Sequence, residues 1–147
     1  MRYNSTMKVL VTGGAGFIGS HLVDRLIKEK NRVVVIDNLS TGKREHINPR
    51  ATFYKADIAD FGSVSRIFRK ERPEVVFHLA AIPRVPISVQ DPIATTRVNV
   101  LGTLHVFKAA TEVKVNELSS RLLLLYMEIK RRFRFMSLNY QRLYGKM

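Results

Sequence analysis

Three glycines near the start of the chain have the spacing of a phosphate-binding loop. Gly13, Gly16 and Gly19 stand in the stretch VTGGAGFIGS, and Gly14 completes a second, closer-spaced pattern with the last two. Glycines at such positions permit a tight turn, let a pyrophosphate approach the backbone, and let a helix pack closely on a strand. A helix that starts here would offer free N–H groups to phosphate. The spacing predicts a dinucleotide-binding loop, although the glycines alone could also serve only a tight turn.

A carboxylate at the end of the next apolar run adds specificity to this prediction. Asp37 closes the stretch RVVVID, 18 residues after Gly19. A carboxylate at this place can accept hydrogen bonds from ribose hydroxyls, whereas it would repel a 2′-phosphate. The combination predicts NAD rather than NADP. A P-loop ending at Gly42 and Lys43 is excluded, because Asp37 occupies the position of its first glycine.

A second candidate pair lies late in the chain. Tyr126 and Lys130, in RLLLLYMEIK, are spaced i, i+4 and would share one face of a helix. A tyrosine beside a lysine can take a proton from a substrate hydroxyl, and a serine can hydrogen-bond the same oxygen. Ser119 and Ser120 precede Tyr126 by only seven and six residues.

Alternating strands and helices are needed to position these groups. The apolar runs at 8–12, 32–37, 52–58 and 74–81 are typical of buried strands. Amphipathic segments at 17–30, 63–72 and 91–110 predict helices, the last with Asp91 as its N-cap. This alternation predicts an α/β fold, a doubly wound Rossmann-like parallel sheet that ends after the fourth or fifth strand. We expect residues 8–12, 33–36 and 75–79 to be buried at its centre.

The composition favours a globular chain and excludes some kinds of site. The 147 residues are 46% hydrophobic and contain no cysteine, which excludes disulfides, thiolate metal sites and a cysteine nucleophile. The four histidines lack metal-ligand spacing and are predicted to be structural or exposed, so no metal site is expected. No apolar run approaches the ~18 residues of a membrane span, and the first residues lack the apolar core of a signal peptide. A cytoplasmic location is therefore expected.

Six short segments, in order, resemble the extended short-chain dehydrogenase/reductase family, and within it the nucleotide-sugar epimerases and dehydratases. The matching pieces are VTGGAGFIGSHLVDRL, DNLSTG, ADIAD, FHLAA, SVQDP and NVLGT, which lie between residues 8 and about 112. The resemblance implies NAD as cofactor and a UDP- or dTDP-sugar as substrate of the full-length enzymes. The chain differs from several epimerases at Pro83, where those enzymes carry a lysine.

The resemblance also implies cofactor-binding roles, residue by residue. The pyrophosphate would be held by Gly13, Gly16, Phe17, Ile18 and Gly19, and the adenosine ribose and its surroundings by Asp37, Asn38, Ser40, Thr41 and Gly42. Asp57 and Ile58 would meet the adenine, Leu79, Ala80 and Ala81 would line the nicotinamide half, and Asn99 would reach the cofactor from the long helix. Two simpler interpretations stay open: Ala80 and Ala81 could be small because helices pack there, and Asn99 could cap a turn.

The chain departs from the family after about residue 112. Residues 111–147 carry eight Lys and Arg against three acidic residues, whereas residues 1–110 carry 17 against nine. No glycine or proline lies between Gly102 and Gly145. We therefore predict an incomplete NAD-binding domain over 1–112 and a basic, non-family tail over 113–147. In the family the catalytic serine lies in a turn after the fifth strand and the tyrosine follows much later, so Tyr126 and Lys130 are not assigned as catalytic.

A frameshift near residues 113–117 accounts for these features of the tail together. Read one nucleotide earlier, the codons that encode Leu122 to Glu128 permit Ser-Ser-Ser-Val-Tyr-Gly over positions 123–128, which is the family's motif. We therefore expect neither epimerase nor dehydratase activity, and no family-type homodimer, from this chain. The alternatives are a non-catalytic module that senses NAD(P), and a nucleic-acid-binding protein whose basic tail interleaves Phe133, Phe135 and Tyr140.

Overall fold

A parallel sheet of five strands, in the order β3-β2-β1-β4-β5, organises the structure. The computed structural model describes residues 6–82 and 85–120. The strands are β1 (Lys8–Thr12), β2 (Arg32–Asp37), β3 (Thr52–Lys55), β4 (Val75–His78) and β5 (Glu117–Ser120). The helices are α1 (Phe17–Lys28), α2 (Phe61–Glu71), α3 (Val85–Gln90), α4 (Pro92–Thr96) and α5 (Thr103–Glu112), with a 3₁₀ turn at Arg44–His46 and a π-helical turn at Arg97–Gly102. The predicted α/β fold with a parallel Rossmann-like sheet is confirmed.

The strand order reverses direction at β1, and this reversal creates a crevice. The chain proceeds from β1 outward to β2 and β3, and then returns to add β4 and β5 on the opposite side of β1. The chain that leaves β1 therefore continues to α1 on one face of the sheet, and the chain that leaves β4 continues to α5 on the other face. Ligands of open α/β sheets bind at such a switch point. The glycine-rich loop follows β1, so it lies at this crevice.

Both faces of the central strands are buried, which explains their unbroken apolar sequences. Leu10, Val34 and Ile36 pack on the side of α2 and α5, and Val9 and Val35 pack on the side of α1. Burying one such aliphatic side chain contributes about 1.5–3 kcal/mol. The prediction of a buried centre holds for residues 8–12 and 33–36, which are fully buried apart from half-buried Lys8. It holds only in part for 75–79, because two of those residues, Phe77 and Leu79, are half-buried.

The predicted long helix over 91–110 is present but not uniform. Asp91 caps α4 as predicted, since its Oδ1 accepts the N–H of Ala94 at 2.9 Å. The helix then widens into the π-helical turn at Arg97–Gly102 before α5 continues to Glu112. Sequence periodicity does not distinguish such a turn from an α-helical one. Turns of this kind often occur at functional sites.

Several boundaries differ from the sequence-based expectations. The third and fourth strands end at Lys55 and His78, three residues earlier than expected in each case, because the chain leaves the sheet where the site loops begin. The short helix α3 was not expected. Among the residues that the structure describes, no helix is long and apolar enough to cross a bilayer. Tyr126 and Lys130, with most of the predicted tail, lie outside the described residues.

Candidate dinucleotide-binding site

Gly13 makes the first turn of the loop in a backbone conformation that favours glycine. Its φ is +74°, and its N–H donates to the carbonyl of Ile36 at 2.8 Å. A Cβ on Gly13 would lie 2.7 Å from the backbone nitrogen of Ala80, which belongs to the loop after β4. This position therefore needs glycine for two reasons, the positive φ and the close approach of the two loops that border the crevice.

The packing of the protein requires a glycine at position 19 but not at position 16. A Cβ on Gly19 would lie 2.1 Å from the carbonyl oxygen of Gly13, so only glycine lets α1 pack this closely on the loop. A Cβ on Gly16 would meet only the Gly13 oxygen, at 3.4 Å, which is an ordinary contact distance. The protein itself thus has room for a side chain at position 16. The missing side chain leaves open space at the start of α1, as a bound pyrophosphate would need.

The first turn of α1 has free hydrogen-bond donors. Gly16 is the N-cap and supplies no side chain, and no acidic residue stands in the first turn. Within the described residues, no acceptor meets the N–H groups of Phe17, Ile18 or Gly19. The side chains of Phe17 and Ile18 are 80% and 57% exposed. Amides without acceptors at the positive end of a helix are suited to bind an anion.

Asp37 holds two loops together at one side of the crevice. Its Oδ2 accepts the N–H of Ala15 in the glycine loop at 2.9 Å, and its Oδ1 accepts the N–H of Leu39 at 2.8 Å. Each carboxylate oxygen keeps a further lone pair for an incoming hydroxyl. The carboxylate therefore lies beside the glycine loop, and its role as an acceptor of ribose hydroxyls stays a prediction.

The segment after Asp37 folds back on the glycine loop. The Oδ1 of Asn38 accepts the N–H of Ser40 at 3.0 Å, which makes a tight turn, and Leu39 adopts a φ of +60°. A Cβ on Gly42 would lie 2.7 Å from Ala15, so the two loops are in direct backbone contact. The structure thus places Gly42 against the glycine loop, and the role of Asn38, Ser40, Thr41 and Gly42 around the adenosine ribose stays a prediction.

Asp57 and Ile58 lie in the loop after β3. The Oδ1 of Asp57 accepts the N–H of Ala59 at 2.8 Å. Ile58 is 5% exposed and packs in the core, where Gly102 leaves room for it. Its carbonyl accepts a hydrogen bond from Nδ1 of His105 at 3.0 Å. A contact of Ile58 with an adenine would therefore be made by its backbone rather than by its side chain.

The segment Leu79–Ile82 forms the opposite wall of the crevice. The N–H of Leu79 donates to the carbonyl of Thr12 at 3.1 Å, and the N–H of Ala80 donates to the Thr12 hydroxyl at 3.2 Å. Asn99 binds this segment with both ends of its amide: Oδ1 accepts the N–H of Ile82 at 2.8 Å, and Nδ2 donates to the Ile82 carbonyl at 3.0 Å. Direct contact of Asn99 with a cofactor remains a prediction.

Three polar residues beneath this wall were not identified as site residues from the sequence. His78 is buried, and its Nδ1 and Nε2 lie 2.7 Å from Thr12 Oγ1 and 2.9 Å from Thr103 Oγ1. Burial lowers the pKa of His78 to about 4, so the imidazole is neutral at pH 7. The sequence signals were a histidine and a threonine at the ends of two buried strands. The prediction that the histidines are structural or exposed fits His78.

Comparison with known proteins agrees with this architecture. A family model described as GDP-mannose 4,6 dehydratase matches residues 10–146. UDP-glucose 4-epimerase of Lactobacillus helveticus is 46% identical over 112 residues, which are 76% of this chain and 34% of that protein. The chain spans about a third of the length of the curated relatives it matches.

Solved structures give the same result. The UDP-glucose 4-epimerase of Thermotoga maritima, solved with UDP-glucose, is 46% identical, with a TM-score of 0.76. The match covers 78% of this chain and 37% of that chain. The UDP-glucose 4-epimerase of Thermus thermophilus, solved with NAD, is 46% identical with a TM-score of 0.74 over 76% of this chain and 36% of that one. The chain belongs to the extended short-chain dehydrogenase/reductase family, in its group of nucleotide-sugar epimerases and dehydratases.

Proposed function

We propose that this chain binds NAD at the crevice between the loops after β1 and β4, as the cofactor-binding part of a nucleotide-sugar epimerase or dehydratase. The observation that carries the proposal is Gly16, which leaves open space at a helix N-terminus whose first amides have no acceptor among the described residues. A glycine that the protein's own packing does not require is explained by a ligand that approaches the backbone. The solved relatives support the identity of that ligand.

The residues of the crevice fit the parts of NAD. The amides of Phe17, Ile18 and Gly19 would hold the pyrophosphate, and Asp37 would accept hydroxyls of the adenosine ribose. The wall of Leu79, Ala80 and Ala81 would border the nicotinamide half. When bound, NAD accepts and returns a hydride of the sugar. The chain's own contribution is to bind the cofactor and to shield one side of it from water.

Replacement of Asp37 should change both affinity and cofactor preference. We expect Asp37→Ala to weaken NAD binding about tenfold, because hydrogen bonds to a charged group contribute about 1.5–3 kcal/mol. The same change should bring NADP affinity closer to NAD affinity, because the carboxylate no longer repels the 2′-phosphate. Isothermal titration of both nucleotides with wild type and variant measures the ratio.

The ratio of NAD affinity to NADP affinity separates recognition of the ribose by Asp37 from a general loosening of the loop. Loss of the bonds from Asp37 to Ala15 and Leu39 would weaken both nucleotides alike, so only removal of charge repulsion moves the ratio. Asp24→Ala is the matched control, since Asp24 also holds a loop, through Asn48 at 2.8 Å, but lies on the exposed surface of α1. Equal affinity of the wild-type chain for NAD and NADP would reject the assignment of Asp37.

We further propose that the chain as it stands does not turn over a nucleotide sugar, and that it acts in NAD binding only. The short spacing of Ser119 and Ser120 from Tyr126 supports this, because the family's serine and tyrosine lie much further apart. The frameshift interpretation of residues 113–147 and the cytoplasmic location stay predictions. UDP- and dTDP-sugars are substrates of the relatives, and we propose the same class for the complete enzyme from which this domain derives.

An activity assay tests this proposal directly. We expect no turnover above background when the purified chain is incubated with NAD and a panel of UDP- and dTDP-sugars, since acid–base assistance alone is worth ~10²–10⁴-fold. The variant Tyr126→Phe should behave like wild type, and Tyr140→Phe is its matched control. Turnover that vanishes in Tyr126→Phe but persists in Tyr140→Phe would show that Tyr126 is catalytic after all.

A further inference from the structure

A continuous set of hydrogen bonds, here called the polar ring, joins β1, β4 and the π-helical turn. It consists of the side chains of Thr12, His78 and Thr103, together with the backbone carbonyl and the side-chain amide of Asn99. Thr12 Oγ1 lies 2.7 Å from His78 Nδ1, and His78 Nε2 lies 2.9 Å from Thr103 Oγ1. The Thr103 hydroxyl then donates to the carbonyl of Asn99 at 2.7 Å. None of these bonds is needed to pair the strands of the sheet.

Both ends of the polar ring attach to the wall of the crevice. At one end the N–H of Ala80 donates to the Thr12 hydroxyl at 3.2 Å. At the other end the Asn99 amide bonds both backbone groups of Ile82, at 2.8 and 3.0 Å. The backbone of Ala80 faces Gly13 so closely that a Cβ added to Gly13 would lie 2.7 Å from the Ala80 nitrogen. The polar ring therefore sets the position of the wall relative to the glycine loop.

The donor and the acceptor of each hydrogen bond in the polar ring are fixed by the neighbouring bonds. The Thr103 hydroxyl donates its proton to the Asn99 carbonyl, so its oxygen must accept the hydrogen bond from His78. Nε2 of His78 therefore carries the hydrogen. The Thr12 hydroxyl accepts from Ala80 and donates its own proton to Nδ1. A protonated imidazole would leave the Thr12 proton without an acceptor among the described residues. Since Thr12 is fully buried, that loss would be costly.

Thr103 takes part at the point where the π-helical turn gives way to α5. In an α-helix the carbonyl of Asn99 would accept the backbone N–H four residues later, but a π-helical turn shifts this pairing by one residue. The Thr103 hydroxyl, four residues after Asn99, supplies the bond to that carbonyl. This bond ties the helix to His78, while the Asn99 side chain is hydrogen-bonded to Ile82.

We propose that His78, Thr12 and Thr103 are positioning residues for the cofactor, which hold the Leu79–Ile82 wall at the distance from the glycine loop that NAD binding requires. This role rests on the proposed function. The residues touch no cofactor in this role and act only through the backbone of the wall. Without the polar ring the wall keeps the bond from Leu79 to the Thr12 carbonyl, but it loses its link through His78 to the helix.

Thr103→Val tests the proposal with little change of shape. It removes the hydroxyl that connects His78 to Asn99, so we expect NAD to bind about tenfold more weakly, the equivalent of one good hydrogen bond. Thr111→Val is the matched control, because the Thr111 hydroxyl makes the same kind of bond, to the Phe107 carbonyl at 2.9 Å, on an exposed part of α5. Thr103→Ser keeps the hydroxyl and should restore the affinity.

Two measurements on the full chain separate positioning from a purely structural role. Isothermal titration gives the NAD affinity well below the unfolding temperature, and amide hydrogen exchange reports on Ala80 and Ile82. Positioning predicts weaker binding and faster exchange at these two amides in Thr103→Val, with neither change in Thr111→Val. A lower unfolding temperature with unchanged NAD affinity in Thr103→Val overturns the proposal but leaves the proposed function intact. If the wild-type chain itself does not bind NAD, the proposed function fails and the positioning role fails with it.

Discussion

Gly16→Ala should leave the fold intact and weaken NAD binding by at least about tenfold, which corresponds to ~1.4 kcal/mol. The new Cβ would meet only the carbonyl oxygen of Gly13 at 3.4 Å, so the free protein can accommodate it. It would extend into the open space at the start of α1, where a pyrophosphate needs to reach the backbone. Thermal unfolding should therefore change little while isothermal titration shows a large loss of affinity.

Two other glycines give the matched controls for this experiment. Gly62 also lies in the first turn of a helix, and its added Cβ would also find its nearest atom, Asp60 Oδ1, at 3.4 Å. Gly62→Ala should leave both stability and NAD binding unchanged. Gly19→Ala should instead destabilise the fold by about 3 kcal/mol, because its Cβ would lie 2.1 Å from the Gly13 oxygen and the backbone must move. Tight NAD binding by Gly16→Ala would remove the main support for the site.

The elements that could be predicted are those in which local pattern and tertiary environment agree. β1 and β2 were predicted at Lys8–Thr12 and Arg32–Asp37, the same bounds as observed, because strands buried on both faces are apolar throughout and end at glycine or aspartate. The position of the glycine loop also followed, since its spacing has a backbone cause. Gly13 has a positive φ, and Gly19 contacts the loop itself.

The parts that could not be predicted depend on contacts between distant segments. The bond between Thr12 and His78 joins residues 66 positions apart, and that between His78 and Thr103 joins residues 25 apart. No local pattern distinguishes these side chains from an ordinary threonine or histidine at a strand end. The π-helical turn at Arg97–Gly102 is equally invisible, because its apolar spacing fits an α-helix as well.

The hydrogen bonds of Asn99 add an observation that the resemblance to the family did not supply. The resemblance implied that Asn99 reaches the cofactor, whereas its amide oxygen and nitrogen are both hydrogen-bonded to Ile82. These bonds favour support of the wall. A cofactor contact would then use the remaining hydrogen-bonding capacity of the amide, which can make up to two donor and two acceptor bonds.

His78 should make the protein lose stability as the pH falls from about 6.5 to about 4. Burial lowers the pKa of His78 to about 4 in the folded chain, from 6.5 in the unfolded chain. Between these values the unfolded state binds a proton that the native state does not, so stability decreases as pH falls. The total loss is about 3 kcal/mol, since one pKa unit corresponds to ~1.36 kcal/mol. Above pH 6.5 this contribution is complete and constant.

His78→Phe isolates this effect, because it removes the titrating group and keeps a ring of similar size. The groups in contact with the imidazole are Thr12, Thr103 and the ring of Phe107, none of which is charged. The carboxyl groups with lowered pKa values, those of Asp60, Glu71 and Glu112, are the same in both proteins and therefore cancel in the difference.

We expect His78→Phe to be less stable than wild type at pH 7, because the buried Thr12 hydroxyl loses its acceptor, at a cost of about 1–3 kcal/mol. The difference in the free energy of unfolding should then shrink as the pH falls below 6.5 and should close or reverse near pH 4, because only wild type loses about 3 kcal/mol over this range. Urea unfolding at a series of pH values measures both curves. A gap that stays constant across this range would mean that His78 takes up its proton equally readily in the folded and unfolded chains, and the polar ring could not then require a neutral imidazole.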